Sequence, residues 1–60
     1  MEKDIKRLKA CMDHNDYYSM LIYITIIIDK CTGQNKEFLL NLAANIKRGN
    51  YEEVNNLLKK

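Results

Sequence analysis

Three residues of this 60-residue chain could do chemistry beyond packing: Cys11, His14 and Cys31. Cys11 and His14 have the short spacing of two metal ligands, and Cys31 could supply a third. A structural zinc site takes four ligands, and the chain holds no other cysteine or histidine. The set therefore reads as a buried thiol and a loop histidine, and no metal or other cofactor is expected. A Cys11–Cys31 disulfide is not expected either. A helix starting near Cys11 and ending near Cys31 would separate them by about 22 Å, whereas bridged Cα atoms lie about 5.5 Å apart. Reduced thiols fit the cytoplasm.

His14 is flanked by Asp13 and Asp16, with Cys11 one helical turn away. On paper this is a nucleophile with its base. Nucleophilic catalysis also needs an oxyanion site and a pocket, and short helices offer little room for either. With no glycine-rich phosphate loop, no enzymatic activity is expected.

The tyrosines point elsewhere. Tyr17, Tyr18 and Tyr23 crowd into one short stretch. Tyrosine pairs an apolar ring with a polar tip and is enriched at interfaces. Lys3, Lys6 and Arg7 lie off the apolar stripe of the preceding segment. The plainer reading makes them a solvated face; the sharper one sets them against phosphate or an acidic protein surface. These six residues are the candidate partner-binding set.

The stretch that must position them is Tyr17–Ile28, YYSMLIYITIII, apolar apart from Ser19 and Thr25. As a helix it has no polar side, so it calls for burial all round, in a core or a membrane. A spanning helix needs about 20 apolar residues; Asp16 and Asp29-Lys30 close this run earlier. It reads as the central helix of a core. The competing reading makes Ile24–Ile28 a β-strand, which could pair only with its copy in a dimer. Length favours the helix.

Shorter helices flank it. Residues 2–12 carry Ile5, Leu8 and Met12 on one face, with Met1 beside them. Residues 13–16, DHND, are turn and cap formers, and Asn15 or Asp16 can cap the central helix. The alternative is one helix from Glu2 to Lys30. Gly33 is expected as the left-handed cap of the central helix, and Asn35 as the cap of a third helix, Lys36–Arg48, with Phe38, Leu39, Leu42, Ala43 and Ile46 as its stripe. Gly49 ends that helix. Asn50 and Glu53 have capping-box spacing ahead of a fourth helix, Tyr51 to about Leu58. The fold class is therefore all-α: a single domain over residues 1–60, built as a small bundle of three to four short helices around a central apolar helix.

Lys47–Val54, KRGNYEEV, resembles the turn between the two helices of a tetratricopeptide repeat. Leu42 to Gly49 is one residue shorter than that repeat requires, and no second copy follows. The resemblance implies a tight antiparallel helix pair and no function.

Composition narrows the partners. A net charge of +2 is well short of a dedicated nucleic-acid binder. A helix-turn-helix would want a small residue where Asn45 stands, and would begin its second helix on Glu52-Glu53, which suit phosphate badly. A ribbon-helix-helix dimer would use residues 21–28 as its strand, with isoleucine and tyrosine where base-reading side chains belong. Glu2, Lys3, Asp4, Lys6 and Arg7 precede no sufficient apolar segment or small-residue cleavage site, so no signal peptide is expected and the expected location is the cytoplasm, with no membrane span. Abundant Asn, Ile, Lys and Tyr suggest an AT-rich genome, such as that of a low-GC bacterium or a phage. The hydrophobic share of 47% is too high for disorder, and three short helices cannot cover every side of the central one. The expectation is a small protein-binding module, an inhibitor or modulator of a larger protein, and a homodimer. The alternative is a small dimeric DNA-binding regulator using Lys3, Lys6, Arg7 and Lys47-Arg48.

Overall fold

The computed structural model describes residues 1–59 as an all-α bundle. Its elements are α1 (Glu2–Asp13), α2 (Tyr17–Ile27) with a 3-10 turn at Ile28–Lys30, α3 (Gly33–Lys47) and α4 (Tyr51–Lys59). Residues 21–28 are helical or in the 3-10 turn, so the strand reading and the ribbon-helix-helix built on it fall away. A helix satisfies each backbone group locally, whereas a lone strand leaves both edges open.

Two of the breaks are made the same way. After α1, the Asp16 N–H donates to the Cys11 carbonyl (2.8 Å) and the Asn15 N–H to the Met12 carbonyl (2.9 Å). Asn15 takes the left-handed conformation, φ 55°. After α3, Asn50 N–H donates to Asn45 O (2.8 Å) and Gly49 N–H to Ile46 O (3.0 Å), with Gly49 at φ 74°. Both are Schellman closures, which satisfy the last carbonyls of a helix through one left-handed residue. The first separates α1 from α2 and rules out a single helix across residues 2–30. Asp16 then caps α2, its carboxylate accepting from the Ser19 N–H at 3.1 Å.

Gly33 is left-handed as expected, φ 59°, but it opens α3 instead of capping α2. Cys31 and Thr32 are extended after the 3-10 turn. The chain therefore changes direction at Gly33, where the missing Cβ permits it. Thr32 is the N-cap residue, and Asn35, expected in that role, falls inside the first turn. The expected Asn50–Glu53 capping box gives way to a different bond: the Asn50 side chain donates back to Asn45 Oδ1 (3.2 Å).

The core is one cluster drawn from all four helices: Leu8, Met20, Ile24, Ile27, Leu39, Leu42, Ile46, Val54 and Leu58. α2 packs on α1 and α3, and α4 packs on α3 and α1. Asn45 is buried among these residues at 6% exposure. Its amide donates to Asn41 O (2.9 Å) and Asn41 Oδ1 (3.1 Å), and its carbonyl accepts from Asn50. A buried amide is tolerated because its donors and acceptor are paired.

Candidate functional site

One side of the central helix stays uncovered, as expected of a bundle in which only three short helices surround it. Met20, Ile24 and Ile27 point into the core. Tyr18 is 76% exposed, Ile26 60% and Ile22 43%. Spaced four residues apart, these three form one row along the outer side of α2. The other short helices flank α2 and leave this row bare, as their number and length imply.

α1 lies beside the row. Between the two helices runs an open groove of about 540 Å³, lined by Arg7, Ala10, Cys11, His14, Asp16, Ser19, Ile22, Tyr23 and Ile26. The Tyr23 hydroxyl donates to Asp4 Oδ1, and the Arg7 guanidinium lies over the Tyr23 ring, 5.4 Å from its centroid. Both side chains line the groove, the tyrosine held by its bond to Asp4 and the arginine drawn to the ring face. The bond to Asp4, with partial desolvation, pushes the Tyr23 phenol above its usual range. At the other end the Ser19 hydroxyl and N–H hold the Asp16 carboxyl below its usual range.

The six candidate residues are not all brought together. Tyr23 and Arg7 meet in the groove, whereas Tyr18 stands exposed on the outer row and does not line it. Lys3 is exposed one turn before Arg7 on the same row of α1. Lys6 is exposed but a further step round the helix. Tyr17 lies apart: its ring stacks on Tyr51 (centroids 4.1 Å, planes 15°) and its hydroxyl donates to Asn55 Oδ1 at 2.9 Å. There it ties α2 to α4. Ile22, Ile26, Ala10 and the Asp16 end of the groove were not anticipated as site residues. No period could single out Ile22 and Ile26 in a run where nearly every residue is apolar.

Cys11 and His14 share the groove, while Cys31 sits on a separate depression with Met1, its sulfur 3.9 Å from the Met1 sulfur. Both thiols are free. Among the described residues, no group of three or more His, Cys, Asp or Glu side chains is placed to hold a metal ion, and no helix is long and apolar enough to cross a membrane. The chemistry on offer is that of a contact surface: an apolar row with a held tyrosine–arginine pair at its side. Comparison with protein-family models, curated proteins and solved structures found no match.

Proposed function

We propose that this chain is a small protein–protein interaction module that inhibits or modulates a larger protein in the cytoplasm, through the Tyr18–Ile22–Ile26 row and the adjoining groove. The observation that carries the reading is the exposure of these three large apolar side chains in a row. Isolated exposed apolar residues are ordinary, whereas a contiguous patch beside tyrosine and arginine has the composition of a binding site. Tyr23 is already held by its bond to Asp4, with Arg7 over its ring, so little of the tyrosine's side-chain freedom is lost when a partner docks.

A DNA-binding regulator is the reading this one is weighed against. It would use Lys3, Lys6 and Arg7 on α1 and Lys47-Arg48 at the end of α3, and it leaves the apolar row without a role. Wild-type protein and the Ile26→Glu variant, each immobilised, exposed to native-host extract at low salt and then washed at raised salt, separate the two. A protein retained by wild type and lost with Ile26→Glu supports the module. Retention of nucleic acid that salt releases, unaffected by Ile26→Glu, supports the regulator, because phosphate contacts weaken steeply with salt.

A further inference from the structure

The two halves of the chain are built alike at a constant offset of 34 residues: α1 ends at Asp13 and α3 at Lys47, and α2 and α4 begin at Tyr17 and Tyr51. Their closing bonds match. Asp16 N–H to Cys11 O and Asn50 N–H to Asn45 O are both 2.8 Å, and His14 N–H to Ala10 O and Arg48 N–H to Ala44 O are both 3.2 Å. The buried residues Leu8, Met20 and Ile24 stand at the same offset from the buried Leu42, Val54 and Leu58. The turn at Lys47–Val54 thus has a counterpart at Asp13–Met20. Few letters are shared, Leu8, Ala10 and Tyr17 recurring as Leu42, Ala44 and Tyr51, so the likeness lies in backbone and burial.

Tandem helical repeats stack with like helices side by side, which leaves the first and last helices of a pair apart. Here α2 packs on α3 and α4 on α1, a pairing that exchange of the halves preserves. Tyr17 stacks on its own counterpart, Tyr51, as residues beside a two-fold axis do. We infer that the chain is two equivalent helical hairpins closed on each other about an approximate two-fold axis at the Tyr17–Tyr51 stack, and that the apolar row of α2 is a departure of the first hairpin that the fold does not require. The counterparts of Tyr18 and Ile22 on α4 are Glu52 and Asn56. α4 holds the equivalent place in the bundle with polar residues at these positions. Neither part of the inference depends on the partner proposed above.

Paired spin labels in a Cys11→Ser/Cys31→Ser background test the axis. Exchange of the halves turns the pair Asp13 and Glu52 into the pair Lys47 and Tyr18, all four exposed. The two distances, read by double electron–electron resonance, are expected to agree. In an open stack the first pair would be the farther apart by about one helix spacing, 8–10 Å, and a difference of that size overturns the axis. Writing the residues of α4 into α2, as Tyr18→Glu/Ile22→Asn, tests the departure. The helical spectrum should be unchanged and the melting midpoint should move by no more than about 4 °C. The same two changes on the inner side, Met20→Glu/Ile24→Asn, should unfold the chain. An outer variant that unfolds, or that loses as much as the inner one, overturns the second part and makes the row a structural requirement.

Discussion

Replacing Ile24 and Ile26 by alanine, one at a time, tests which side of α2 is buried. The two residues lie about 200° apart on the helix. Ile24 is 1% exposed and Ile26 60% exposed. Truncating a buried isoleucine to alanine costs about 2–5 kcal/mol, through lost transfer energy and the cavity left behind. A 60-residue chain has only about 3–9 kcal/mol of stability, so Ile24→Ala removes a large share of it. At about 4–8 °C per kcal/mol for a domain of this size, the midpoint should drop by at least about 10 °C. Ile26→Ala removes little burial and improves helix propensity, so its effect should lie within about 0.5 kcal/mol. Thermal melts followed by far-UV circular dichroism measure the midpoints, and urea unfolding the free energies. The harsher pair sharpens the contrast: Ile24→Asp should fail to fold, since its charge has no partner in the core, while Ile26→Asp should fold. Equal losses from the two alanine variants, or a larger loss at Ile26, would refute the placement of the helix.

Other sites give separate readings. Asn15→Ala should destabilise by about 1 kcal/mol, the cost of a left-handed residue carrying a Cβ without asparagine's local hydrogen bonding, and Asn15→Gly should not; thermal melts decide. Asn45→Ala should cost about 1–3 kcal/mol by breaking the paired amide under α4, and a double-mutant cycle with Asn50→Ala should show coupling between the two. Asp16 has a folded-state pKa below its ordinary value. Its contribution is therefore present above the ordinary carboxylate range and is lost as pH falls through the folded value. Asp16→Asn should flatten the acid limb of a plot of melting temperature against pH.

Much of the fold is legible in the letters, and the losses have physical causes. The stripes of α1, α3 and α4 contrast with polar neighbours, so Leu8, Leu39, Leu42, Ile46, Val54 and Leu58 can be assigned to the core from spacing. α2 has almost no such contrast. Which of its sides is covered depends on where α1 and α3 sit, and that is tertiary information. The same gap hides Ile22 and Ile26 as site residues and sends Tyr17 to Tyr51, a contact no local pattern encodes. Gly33 is recognisable as a left-handed residue. Its assignment to the start of α3 depends on the 3-10 turn and on the extended Cys31–Thr32 pair before it. Asn45 lies between Leu42 and Ile46 on the inward side of α3, and a polar residue there looks like a break in the stripe until Asn41 and Asn50 are seen to pair with it.

The central claim is that the outer side of α2 is a contact surface for protein. A photo-reactive amino acid placed at position 26, with position 40 on α3 as the control, tests it directly in native-host cells. Both positions are exposed and apolar. The account predicts a discrete adduct from position 26 that carries the foreign partner. Position 40 should give none. Illumination that yields no protein adduct at position 26, or the same adducts from both positions, would contradict it.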